Sequence, residues 1–212
     1  MKKKEKALKI AHLLDEYIPS PEPALHFSDP FSLLVAVCLS AQCTDERVNQ
    51  VTPQLFAFAP TAEVLALCDP LIIEAIIKPC GLAKAKAARL VQMAQEMVER
   101  HGGQVPSSFK ELEALSGVGH KTASVVMSQA FQKPAFAVDT HILRNARRWQ
   151  LSSHQEVKKV EEDLKKLFPK DIWSKVHLQM ILFSRQYCPA RHPQIEKCPI
   201  CFWLQTSSQA AN

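Results

Sequence analysis

Ser107-Ser-Phe-Lys-Glu-Leu-Glu-Ala-Leu-Ser-Gly-Val-Gly-His-Lys-Thr-Ala-Ser-Val-Val-Met-Ser-Gln-Ala-Phe131 carries two helix signals with a pair of glycines between them. Ser108 and Glu111 stand three residues apart in a capping-box pattern, which predicts a helix starting there and running to about Leu115. Gly117 and Gly119 permit a tight turn with positive φ and leave backbone N–H groups uncovered. A second helix follows, with Ala123, Val126, Met127 and Ala130 as its buried face. The chain has only 5 glycines in 212 residues, so two of them one residue apart mark a backbone requirement. The local prediction is helix, hairpin, helix. Free N–H groups at the start of the second helix form an anion site suited to a nucleic-acid phosphate. The alternative is an ordinary helix–helix turn with a glycine C-cap, which one glycine would suit; Gly-Val-Gly followed by Lys-Thr-Ala, after a capped helix, is more specific to a DNA-backbone contact.

Outward from this stretch the helical period persists. Leu8, Ala11, Leu14 and Ile18 form one apolar stripe, and Val157, Val160, Leu164, Leu167 and Phe168 form another. Prolines at 19, 21, 23, 53, 60, 70, 79, 106, 134 and 169 separate segments of helical length. Alternating strand patterns are missing, so the expected fold is all-α, about ten short helices. At 47% hydrophobic and 22% charged the chain reads as an ordinary soluble protein rather than a disordered or fibrous one. Its formal charge of +5 agrees with a polyanionic partner without proving one. The basic start Met1-Lys2-Lys3-Lys4 is followed by Glu5, Lys9, His12 and Asp15, so export is not expected. The longest apolar run, Phe31 to Leu39, is far too short for a membrane span. Four scattered cysteines (Cys38, Cys43, Cys68, Cys80) read as small buried hydrophobes in a reducing cytosol.

Lys121 falls in the first turn of the second helix. There the helix dipole disfavours an ammonium, and partial burial would lower its pKa further. A lysine so placed is either a nucleophile for an electrophilic carbon or a partner for phosphate, and local physics leaves both readings open. Asp139, in Asp139-Thr-His, is a favoured N-cap for a helix. Arg144, Arg147 and Arg148 share that helix, as a DNA-steering face or a solvated one. His141 is expected to be a hydrogen-bonded structural histidine.

The chain resembles the helix-hairpin-helix DNA glycosylases in several stretches. These are Leu115-Ser-Gly-Val-Gly-His-Lys-Thr-Ala123, Ala137-Val-Asp-Thr-His-Ile142, Pro30-Phe-Ser-Leu-Leu-Val-Ala-Val-Cys-Leu-Ser-Ala-Gln-Cys-Thr-Asp45, Lys78-Pro-Cys-Gly-Leu-Ala-Lys-Ala-Lys-Ala87, Gly103-Gln-Val-Pro106 and Tyr187-Cys188. The resemblance implies two helical domains with a DNA-binding cleft between them. One is a six-helix domain, 23–133, carrying the hairpin; the other combines 1–22 with 134–212 and ends in a cysteine-containing loop. It also implies Lys121 as Schiff-base nucleophile and Asp139 as catalytic carboxylate, because relatives that only remove bases lack the lysine. The implied activity is a bifunctional glycosylase and abasic-site lyase for oxidised pyrimidines. DNA contacts are expected at Gly117, Val118, Gly119, His120 and Thr122, with Gln42 and Leu82 filling the gap left by a flipped base. Ser116 and His120 stand where the family more often has proline and a basic residue. The expected partner is double-stranded DNA with a flipped damaged nucleotide, bound by a cytoplasmic monomer that makes no use of a membrane. Two other functions fit less of the pattern: a glycosylase for other lesions or mismatches, and a non-catalytic DNA-binding module. Phosphate binding alone would not need Asp139.

The family often ends in a four-iron four-sulfur cluster held by cysteines spaced six, two and five residues apart. Here Cys188 is followed by nine residues, Cys198, two residues and Cys201, with no cysteine beyond. Counted without a gap, Ile195 and Leu204 take two ligand positions; with a three-residue insertion, Ser207 takes the fourth. Three readings stay open: a 4Fe-4S cluster with an unusual ligand, zinc held with His192, or a metal-free tail packed by Phe202 and Trp203.

Overall fold

The computed structural model describes residues 2–191 and 195–209. Over these the chain is all-helical, with twelve α-helices and three short 3-10 turns. None of these helices is long and apolar enough to cross a membrane. The chain divides into two compact units, Pro23–Lys133 and Met1–Glu22 with Pro134–Asn212.

The first unit holds seven α-helices against the six expected: α2 (Pro30–Leu39), α3 (Asp45–Phe58), α4 (Ala62–Ala66), α5 (Pro70–Ile77), α6 (Ala83–His101), α7 (Phe109–Glu113) and α8 (His120–Gln129). Two of them begin with the same device. Asp29 and Asp69 cap α2 and α5 by accepting backbone N–H groups from Ser32 at 2.9 Å and Leu71 at 2.8 Å, and a proline follows each where its missing N–H costs nothing. Helix α2 is buried almost all round and packs on α3, α6 and α8; α6 lies along α4 and α5. Pro53 does not separate two segments as expected but sits inside α3. Val48, Val51, Thr52 and Leu55 are buried on both sides of it, and that burial holds the helix across the lost ladder bond.

The second unit contains α1 (Lys3–Tyr17), α9 (Thr140–Arg148), α10 (Val157–Leu167), α11 (Trp173–Gln186) and α12 (Pro199–Gln209). Its core gathers around the fully buried Trp149, Phe136 and Phe183. The stripe of α1 runs through Ala7, Ile10, Ala11 and Leu14, and Leu8 is 46% exposed. Ala11 and Leu14 of the expected stripe lie in the core and Ile18 packs against it, whereas Leu8 points out and Ala7 and Ile10 complete the buried face instead. Val157 is likewise exposed, because α10 begins there beyond the edge of the core. Of the four scattered cysteines only Cys80 is buried; Cys38, Cys43 and Cys68 are half-buried.

Candidate active site

The hairpin forms as the spacing requires, with two adjustments. Ser108 caps α7, accepting the Glu111 N–H at 3.3 Å, but its hydroxyl also donates to the Glu111 carboxylate at 2.5 Å. Helix α7 is one turn long and ends at Glu113, earlier than expected. The turn then closes through the Val118 N–H donating to the Leu115 carbonyl at 3.1 Å. Gly117 has φ +78, so a side chain there would be strained. Gly119 differs from expectation: its φ is −93, and a Cβ built on it would meet nothing within 4 Å. Neither torsion nor packing demands glycine at 119. Its effect is that the N-cap of α8 offers no side-chain oxygen to the amides of the helix's first turn, Lys121 and Thr122 among them.

Ser116 gains something that proline could not offer. Its N–H donates to the Glu96 carboxylate at 2.6 Å, which ties the hairpin to α6. The exposed His120 side chain leans on α7: Nδ1 lies 2.6 Å from Glu113 Oε1, and the ring stacks on Phe109. Its expected role as a phosphate donor therefore has a structural competitor. Lys121, second residue of α8, is exposed and not partly buried as expected.

Gln42 and Leu82 share a distinctive backbone. Both are non-glycine residues with positive φ, +56 and +50, in loops that close α2 and open α6. Leu82 is 59% exposed, a large apolar side chain held out on a strained residue. Between the two loops lies Lys86, buried, whose ammonium donates to the Leu39 and Cys80 carbonyls, each at 2.8 Å. A cavity of ≈ 100 Å³ is lined by Ala41, Leu82, Lys86, Arg89, Ser116 and Gly117, so the Leu82 loop, the residue beside Gln42 and the hairpin face one space. Lys86 escaped the sequence reading, although a lysine in register with the buried Leu90, Ala94 and Met97 of α6 was its signal.

Asp139 lies in the second unit and caps α9, accepting the Ile142 N–H at 2.8 Å. His141 Nδ1 is 3.2 Å from the Ser184 hydroxyl on α11, the structural role expected of it. Two of the three arginines face the protein rather than a ligand. Arg144 donates to the Ser184 hydroxyl and to the Cys188 carbonyl; Arg148 donates to Cys188 Sγ and the Pro189 carbonyl, both at 3.1 Å. Arg147 is exposed.

Those arginines lead to the C-terminal cysteines. Cys188, Cys198 and Cys201 are all buried and unpaired by disulfides, and their sulfurs all lie within 4.8 Å of one another. The Cys188 and Cys201 sulfurs are 3.8 Å apart. Hydrogen bonds from Cys198 and Cys201, with Arg148 beside it, hold the Cys188 thiol well below its usual range against the opposing effect of burial. The same bonds to Cys188 push the donors Cys198 and Cys201 up. His192 lies outside the described residues. Ser207, where a fourth ligand would fall, is on α12. A four-iron four-sulfur cluster spreads its thiolates over four irons. This set is one thiol short, and its sulfurs stand closer than ligands of separate irons can.

Residues 35–170 match the family model described as HhH-GPD superfamily base excision DNA repair protein. The chain is 41% identical over 197 residues to endonuclease III of Haemophilus influenzae, covering 93% of each. Among solved structures it superposes on a non-covalent endonuclease III–DNA complex with a TM-score of 0.92 at 36% identity, covering 100% of both chains. It superposes on a trapped endonuclease III–DNA covalent intermediate with a TM-score of 0.90 at 38% identity, covering 94% of both.

Proposed function

The chain belongs to the HhH-GPD superfamily of base excision DNA repair proteins, and on that premise we propose that Lys121 and Asp139 carry out its glycosylase and abasic-site lyase chemistry on oxidised pyrimidines in DNA. The observation that carries the proposal is the exposed Lys121 at the second position of α8, next to backbone amides that Gly119 leaves open. Amides without a side-chain cap at a helix start attract a phosphate. A phosphate docked there brings the backbone of a DNA strand beside the lysine.

The chemistry then follows from the groups present. A nucleotide must leave the stack before an amine reaches its sugar. The Lys121 Nζ bonds to the sugar carbon that bears the base, the glycosidic bond breaks, and its electron pair leaves with the base, which takes a proton. The amine loses a proton, and its lone pair then expels the ring oxygen: the bond from the sugar carbon to the ring oxygen breaks, the oxygen takes a proton, and an iminium joins Nζ to that carbon. The iminium acidifies the neighbouring carbon; that carbon loses its proton, and the 3′ phosphate departs with the electrons of its C–O bond. Asp139 offers a carboxylate for the positive charge that develops on the sugar. Gln42 and Leu82, held out on strained backbone, are suited to fill the space that a flipped nucleotide leaves in the duplex. The C-terminal cysteines take no part in these steps.

Borohydride reduction in the presence of DNA holding an oxidised pyrimidine or an abasic site tests the assignment. A covalent protein–DNA adduct is expected from the intact chain and none from Lys121→Ala. An adduct surviving Lys121→Ala at full yield would overturn it.

A further inference from the structure

We infer that Cys188, Cys198 and Cys201 form a site for a single zinc ion, with the fourth tetrahedral position taken by water or another small ligand. The argument begins with spacing. Thiolate sulfurs bound to one zinc at about 2.3 Å in tetrahedral geometry stand about 3.8 Å from one another. The Cys188–Cys201 separation is 3.8 Å, and all three sulfurs fall within 4.8 Å. In a cubane each thiolate bonds a different iron, so an iron–iron edge separates the ligands and the inorganic core must fit among them. Three sulfurs this close leave room for one ion, not for that core.

The surroundings agree. The three cysteines come from two elements, the end of α11 and the start of α12, and the fold buries all of them to 8% exposure or less. Buried thiols that converge without a disulfide offer one another only weak S–H hydrogen bonds, whereas three thiolates around a divalent ion gain strong bonds and fasten α12 to α11. Soft sulfur donors in a tetrahedral arrangement select zinc over harder divalent ions. Three thiolates on Zn²⁺ carry one net negative charge. The Arg148 guanidinium, donating to Cys188 Sγ at 3.1 Å, is placed to offset it, and Arg144 braces the same residue through its carbonyl. Binding releases the thiol protons and needs no oxidant or reductant.

Metal analysis of the full chain, purified without a histidine tag, tests this directly. One zinc per chain with no acid-labile sulfide is expected. Titrating the thiols with a mercurial should release that zinc to a chromogenic chelator, a measurement that does not depend on a variant folding. Cobalt substitution should give the absorption of a tetrahedral thiolate site, lost in Cys188→Ser and in Cys201→Ser but kept in Cys68→Ser. Iron and sulfide in comparable amounts would overturn the proposal in favour of a cluster. A protein that retains no metal, with cysteine reactivity unchanged by added zinc, would overturn it in favour of plain packing. Neither outcome touches the assignment of Lys121.

Discussion

Asp139 holds two jobs that ordinary mutagenesis would confuse, and a pair of substitutions separates them. Its Oδ1 caps α9 at 2.8 Å from the Ile142 N–H. Replacing it with alanine leaves that half-buried amide uncapped and should cost about 1 kcal/mol of stability. In a chain of this size that is a fall of about 2–4 °C in Tm. Asparagine keeps the acceptor and caps about as well as aspartate, losing only a charge at the helix start worth about 0.3–1 kcal/mol. Asp139→Asn should therefore melt nearer to the parent than Asp139→Ala does. Catalysis should rank them differently. Neither residue can act as a carboxylate, so both variants should lose about 10²–10⁴-fold in single-turnover base release. On DNA with a preformed abasic site, where the base has already gone, the loss should be smaller, and borohydride trapping through Lys121 should persist. Thermal unfolding beside single-turnover kinetics on both substrates gives the comparison. If Asp139→Asn releases base at the parent rate while Asp139→Ala does not, the carboxylate only caps a helix and the catalytic assignment fails.

Other expectations follow from individual geometries. Leu82→Gly relieves a left-handed backbone strain of about 1–2 kcal/mol, less the 0.5–1 kcal/mol that glycine's freedom costs, so urea unfolding should show roughly 0.5–1 kcal/mol of added stability. The same variant should bind and open damaged DNA more weakly in a fluorescent base-analogue assay; unchanged opening would remove Leu82 from the recognition surface. Lys86→Met strands the Leu39 and Cys80 carbonyls, and at about 1–3 kcal/mol for each buried acceptor left unsatisfied, its urea midpoint should drop sharply. A midpoint equal to the parent's would mean that water reaches both carbonyls. Asp15 is hydrogen-bonded to Lys175 and Gln179, which hold its carboxyl below the usual carboxylate range. A depressed carboxylate stabilises fully above its unfolded pKa and loses that contribution as pH falls through the folded one. Stability should thus fall below about pH 4 less steeply in Asp15→Asn, by an amount kept small by exposure and reduced further by salt; parallel pH profiles would exclude the pair.

The helical class, the capped entry to α7, the turn at Gly117 and the positions of Lys121 and Asp139 were all legible in the chain itself. Each rests on interactions spanning three or four residues: a hydroxyl reaching an amide one turn away, a glycine whose own φ must be positive, an apolar residue recurring with the helix. Such signals survive in one dimension because their partners are neighbours in sequence. Orientation was less legible. In the α1 stripe Ala11, Leu14 and Ile18 meet the core as read, but Leu8 does not and Ala7 and Ile10 do, because what faces the helix from α10 and α11 is chosen by packing. Gly119 was assigned a torsional reason and has none; its openness is visible only once its surroundings are in place.

What tertiary structure alone decided depends on contacts across long stretches of chain. Lys86 reaches a carbonyl 47 residues away, and Ser116 finds Glu96 across a gap of 20. Arg148 meets a sulfur 40 residues on, turning an arginine that composition would offer to DNA into a brace for Cys188. Counting could show that the cysteines were one short of a cluster; only folding could show three sulfurs gathered within 4.8 Å. The physical reason is common to all of these. Local geometry is dictated by neighbouring residues, whereas the partner of a buried polar group or thiol is fixed by which surfaces the hydrophobic core brings together.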